Sequence, residues 1–245
     1  KSGVRFSQIA FGTMRFNASD FCNCIKIGTS FLNEIYNSGI TTFHSSQEYE
    51  TFDFFSECLN NLYKDVKKNK IEHIVKIAAP HFKDDSFNSN LLEQRIDNFL
   101  ITTGAESIDV VQWLLRHEPN IDYDRLQILT NCRAEFQEKM QSLKKKGKIK
   151  SWYSFPYSER FATKVISLEG CSGIIDYLNF LELQDPFVIE MLKNNSQSFI
   201  ALRPLYAKKV LEMSDSNVNE LLSITKSSVL VEAAMKFPLL CSVVK

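Results

Sequence analysis

Tyr49, Lys76 and His117 are the residues of this 245-residue chain whose types and placement could move a proton. Each falls in, or just past, a short apolar run, so a fold that gathers the ends of those runs would bring a phenol, an ammonium and an imidazole to one mouth. A phenol with an ordinary pKa near ~10 is a poor acid at neutral pH, but an ammonium within about 4 to 6 Å favours the phenolate and lowers that value. The pair could then protonate a carbonyl oxygen as negative charge develops on it, while the imidazole donates a hydrogen bond to the same oxygen. No side chain is a hydride source, so a reduction by these groups requires a nicotinamide cofactor.

The elements that must position them are legible as an alternation of apolar runs and helical periods. Strands are expected at residues 9–11, 41–45, 73–78, 109–115, 150–154, 177–181, 199–203 and 239–244. Helices are expected between them at 21–38, 52–68, 88–102, 123–146, 158–168, 187–194 and 218–236. In the fourth helix Leu126, Leu129, Phe136, Met140 and Leu143 recur at helical intervals, and Gly147 sits where a C-terminal cap is wanted. Repeated βα units in a chain of this length predict an α/β class protein, a (β/α)8 TIM barrel formed as a single domain over residues 1–245, with residues 3–8 adding a short hairpin at its base. No helix is expected after the eighth strand within residues 1–245, so the last βα unit is expected not to be visible in full in this sequence. Such barrels work at the C-terminal ends of their strands. Those ends carry Gly12, Thr13 and Met14; His44; Lys76; Arg116 and His117; Ser154; Asn179; and Arg203, Pro204 and Leu205.

With these residues in view, the chain resembles the aldo-keto reductase superfamily along nearly its whole length. Ala10-Phe11-Gly12-Thr13-Met14-Arg15-Phe16 resembles the family's opening strand and Gly-Thr-Met turn. Gly39-Ile40-Thr41-Thr42-Phe43-His44-Ser45-Ser46-Gln47-Glu48-Tyr49 resembles its Gly-Ile-x-x-Phe-Asp-Thr-Ala-x-x-Tyr block. Ile74-Val75-Lys76 falls on the strand of the catalytic lysine, and Ile108 to His117 on the strand that ends in the family's histidine. The resemblance implies Tyr49 as general acid, Lys76 as the group that lowers its pKa, and His117 as the residue orienting the substrate carbonyl. It implies a cofactor site formed by Gly12, Thr13, Met14, Ser154, Asn179, Arg203, Pro204 and Leu205, taking NADP(H), with NAD(H) as the alternative, and no metal. The substrate implied is a carbonyl on a small molecule, such as a sugar-related aldehyde or ketone.

The chain also departs from the family's pattern. Where the resemblance places the Asp of the catalytic tetrad, this sequence has His44, which supplies no negative charge; Lys76 is then expected to lack an anion and activity to fall. Trp152 and Tyr153 stand where the family has small residues, and Phe52, Phe54, Phe55, Tyr153 and Phe155 would wall or narrow a pocket. Ser154 meets the nicotinamide carboxamide if one residue is deleted before it; otherwise Phe155 does. A chain ending at Lys245 would lack the segment that anchors the adenosine phosphate. These departures motivate a second reading, a catalytically impaired or inactive barrel used as a binding or regulatory module.

Composition removes other classes. Lys+Arg and Asp+Glu number 29 each, so no global field attracts nucleic acid or an anionic membrane. No apolar run reaches the ~18 residues of a bilayer span, and the chain is read as cytoplasmic. The six cysteines are sparse and are read as reduced, and no paired Cys-x2-Cys, His-Glu-x-x-His or Gly-rich phosphate loop occurs. His73 and His81 are read as a sheet-end residue and a loop residue.

Overall fold

A computed structural model describes residues 6–82, 84, 86–118 and 121–244. These form two compact units, one up to Tyr153 and the other from Ser154 onwards.

The first unit alternates β1 (Ala10–Gly12), α1 (Ile25–Asn37), β2 (Thr42–Ser45), α2 (Phe52–Leu62), β3 (Glu72–Ala78), α3 (Ser89–Thr103), β4 (Ile108–Leu114), α4 (Asp122–Lys145) and β5 (Ile149–Ser154), whose last residue opens the second unit. The strands lie in chain order, with β1 to β4 paired in parallel. Local chemistry sets the boundaries: the Asn88 side chain accepts from the Asn90 and Leu91 amides at the start of α3, and Gly104 ends that helix at φ 66°.

Register divides the side chains between two faces. His44 lies opposite Ile74, and Lys76 opposite Gln112. With a period of two, His44, Ile74, Lys76 and Gln112 therefore share one face, and Phe43, Val75, Val111 and Trp113 share the other. The second face is covered by helices. Phe43 joins Leu32 of α1 and Phe55 and Leu59 of α2 in a buried cluster. Trp113 stacks on Phe136 of α4, ring centroids 3.9 Å apart, and Trp152 of β5 meets both rings edge-on. The face carrying Lys76 is left for polar work.

The second unit holds α5 (Glu159–Ile166), β6 (Cys171–Tyr177), α6 (Pro186–Asn194), β7 (Ser198–Leu202), α7 (Asp215–Thr225) and α8 (Leu230–Lys236), with β6 and β7 parallel. Ala162, Ile166, Ile174, Val188, Leu192 and Phe199 form its core.

Three expected elements differ. The sixth strand runs over Cys171–Tyr177 rather than residues 177–181, which instead turn back on themselves through an Asn179–Glu182 pairing. Gly173 inside the true strand, at φ 150°, weakens its sequence signal. The last expected helix is two, broken where Lys226 adopts the left-handed region at φ 52°. The expected eighth strand is replaced by a short 3-10 turn, Phe237–Leu240, and a single parallel bridge from Phe199 to Val244. Pro238 has no amide proton for a ladder and suits the first turn of a helix. Of the expected basal hairpin, residues 3–5 lie outside the described residues and residues 6–8 carry no strand.

Candidate active site

Three neighbouring strands and one turn build the charged cluster of the first unit. Lys76 stands near the end of β3, and its strand neighbour in register is Gln112. Beyond β2 the chain turns through residues 46–49. The Tyr49 amide donates to the Ser46 carbonyl (3.2 Å), the Glu48 amide donates to Ser46 Oγ (3.2 Å), and Ser46 Oγ donates to the Lys76 carbonyl (3.4 Å). These bonds hold Tyr49 beside β3, where Lys76 Nζ lies 5.2 Å from the centre of its ring. This is close enough for an ammonium to act on the ring and its phenol.

Lys76 has an anion, contrary to the expectation drawn from His44. Glu48 Oε2 lies 2.8 Å from Lys76 Nζ. Both oxygens of Glu48 also receive Arg116 Nη1, at 3.0 and 2.8 Å, and His81 Nε2 lies 3.6 Å from Oε1. Burial works against the charged form of Glu48, but the hydrogen bond and charge of Lys76 and then those of Arg116 outweigh it. The carboxyl is held below its usual range. The Arg116 guanidinium lies over the Phe82 ring at 5.1 Å.

His44 takes another part. Its Nε2 donates to Gln112 Oε1 at 2.6 Å, across β3. Burial depresses its pKa, the bond to Gln112 acts the other way, and the charge of Lys76 adds to the depression, so the ring stays neutral. It neither repels nor neutralises Lys76. His117, one residue past Arg116 beyond the end of β4, makes no hydrogen bond or ion pair with this cluster. His81, read from the sequence as a loop residue, does belong to it. Glu48 and His81 were not singled out because turn residues carry no periodicity; adjacency of Glu48 to Tyr49 was the available signal.

Several of the bulky residues expected to intrude pack into the core instead. Trp152 is fully buried on the helix side of β5. Phe54 and Phe55 pack between α1 and α2, and Phe52 meets Phe99 of α3. Tyr153 is buried as well.

A nicotinamide dinucleotide needs polar contacts for its carboxamide and phosphates, and part of the expected set fits. Gly12 ends β1 opposite His44, and a Cβ added there would meet nothing within 4 Å. Thr13 follows it, with a fully buried Oγ1 that has no hydrogen-bond partner. Met14 is exposed. In the second unit the Ser154 hydroxyl is likewise buried and unpartnered, which suits a carboxamide. Asn179 fits less well: it lies past β6, and its amide closes its own turn on Glu182 Oε2 and the Leu181 amide. Arg203 follows β7 and lies 4.1 Å over the Tyr177 ring; Pro204 comes next, and Leu205 packs against the α7 and α8 cluster. Among the described residues no group of three His, Cys, Asp or Glu side chains is placed to hold a metal, and no helix is long and apolar enough to cross a membrane.

Solved structures resemble the chain throughout. The aldo-keto reductase AKR11C1 of Bacillus halodurans, in its holo form, superposes with a TM-score of 0.71 at 13% identity, covering 98% of this chain and 80% of that one. Its fold is that of the aldo-keto reductases. The aldo-keto reductase MGS-M4 from a Medee basin deep-sea metagenome gives 0.70 at 14% identity, covering 100% and 81%. An aldo/keto reductase of Brucella melitensis gives 0.67 at 16%, covering 97% and 82%. No family model matches the sequence, and no curated protein is similar to it at a significant level. The likeness to aldo-keto reductases thus survives in backbone geometry at identities where side chains have largely changed.

Proposed function

We propose that the protein is a cytoplasmic oxidoreductase that reduces a carbonyl group on a small molecule, with NADPH, or NADH as second choice, as reductant and Tyr49 as general acid. The observation that carries this reading is the placement of the Lys76 ammonium 5.2 Å from the Tyr49 ring, with its charge secured by a carboxylate at 2.8 Å. When bound, the dinucleotide supplies the hydride. Lys76 stabilises the phenolate that Tyr49 becomes as it gives its proton to the carbonyl oxygen. Within the first unit Thr13 offers the cofactor a buried unpartnered hydroxyl; taken separately, the second unit offers the Ser154 hydroxyl for a carboxamide and the Arg203 charge for a phosphate. His117 is assigned the orienting of the carbonyl, with His81 as the second candidate because it already touches the cluster. A sugar-derived aldehyde or ketone is the substrate class to try first.

The alternative of an inactive binding module loses two of its motives, since Lys76 is paired and Trp152 lies in the core. Purified protein is to be given NADPH and a panel of aldehydes and sugar ketones, following the loss of reduced nicotinamide. Turnover should appear and fall ~100-fold or more in Tyr49→Phe. Turnover unaffected by that change would remove Tyr49 from its role.

A further inference from the structure

We propose that Glu48 is the counter-anion on which Lys76 depends, a positioning residue lodged in the turn just before Tyr49 and anchored there by Arg116. The inference rests on the reading of Tyr49 and Lys76 as a proton-donor pair and adds to it the source of the negative charge.

Lys76 keeps only 16% of its side chain exposed, and an ammonium so enclosed is costly without an anion. Among the described residues Glu48 is the only acid that pairs with it. The carboxylate is not loosely placed. One Arg116 nitrogen reaches both oxygens, and the Arg116 side chain is itself only 11% exposed, so the orientation that turns Oε2 toward Lys76 is fixed. The backbone of Glu48 is tied to Ser46, which is tied in turn to the Lys76 carbonyl. Glu48 also separates two cations, Lys76 and Arg116, that would otherwise repel. His44 cannot do this work, because its one proton on Nε2 is committed to Gln112 and its ring is neutral. His44 and Lys76 stand on the same face of neighbouring strands, so a carboxylate at position 44 would share that face with the ammonium.

That last relationship supplies the test. Glu48→Gln keeps the shape of the side chain and removes its charge. Turnover number should fall by ~10-fold or more, while KM for the dinucleotide changes less than about threefold. In the Glu48→Gln background His44→Asp should restore most of the lost rate. A second readout needs no turnover: the rate at which an amine-acylating reagent modifies Lys76, followed by mass spectrometry against the exposed Lys26 of the same chain. It should rise roughly fivefold in Glu48→Gln and fall back in the double variant. Wild-type turnover and labelling in Glu48→Gln, in a protein that Tyr49→Phe inactivates, would overturn the proposal. A loss that His44→Asp does not restore, with labelling unchanged, would assign Glu48 a merely structural part and overturn it equally. If Tyr49→Phe is fully active the proton-donor reading fails by itself, and the labelling alone decides whether Glu48 holds Lys76.

Discussion

His44 Nε2 donates to Gln112 Oε1 at 2.6 Å, bridging over the strand that carries Lys76 between them. Gln112 is 2% exposed, so its side chain has no water as a ready substitute for this bond. Gln112→Leu should leave the imidazole proton unpaired and lower stability by about 1 to 3 kcal/mol, read by thermal or urea unfolding. A change below a few tenths would mean that the bond carries no weight.

Two imidazoles compete for the carbonyl-orienting role. His117→Ala and His81→Ala are expected to differ: the variant lacking the true orienting group should lose ~100-fold in kcat/KM, and the other should lose far less. Steady-state kinetics on the best carbonyl substrate compares them. Equal and small losses would show that neither histidine touches the substrate.

Helices α1 and α2 meet at Gly28. A Cβ there would come within 2.7 Å of Cys58 Sγ and 2.8 Å of Phe54 Cζ, both inside the Phe-rich cluster. Gly28→Ala should therefore destabilise by about 1 to 3 kcal/mol despite the better helix propensity of alanine. Unfolding midpoints measure it, and a stabilised variant would show that the two helices separate freely.

His73 sets a pH dependence. It is buried in β3, and its Nε2 and the Tyr63 hydroxyl share a hydrogen bond of 2.7 Å. Burial lowers its pKa to about 4, though the Asp109 charge opposes the drop. The unfolded chain protonates this ring near ~6.5 and the folded chain does not, so stability is complete above that pH and declines as acidity increases toward 4. The loss should reach about 3 kcal/mol by pH ~4. In His73→Gln this part of the slope should vanish. Parallel unfolding curves for wild type and variant across the window would disprove it.

The strands of the first unit were legible because each is an apolar run cut off by turn residues, and β2, β3 and β4 lie within a residue or so of expectation. Tyr49 and Lys76 could be placed for the same reason: one follows a strand and the other stands in one. What the pattern could not give was the partner of Lys76. Glu48 reaches it only because a four-residue turn doubles back, and turn geometry follows from hydrogen bonds such as those of Ser46 rather than from periodicity. The aromatic residues misled in the opposite direction. Trp152 and Phe55 look like bulk near a site in a linear sequence, but Trp152 packs on Phe136 of α4 and Phe55 lies on the face of α2 that meets Phe43 and Leu32. Cys171–Tyr177 was missed because its glycine and short polar residues dilute the apolar signal that Ile174 and Ile175 provide.

The turn from Ser46 to Tyr49 places Tyr49, the proposed proton donor, and the carboxylate that pairs with Lys76 on adjacent residues of one short loop. A displacement of that loop as a whole would carry the phenol and the carboxylate away from Lys76 together. The two positions therefore depend on one stretch of backbone, and a substitution that shifts the turn alters both at once.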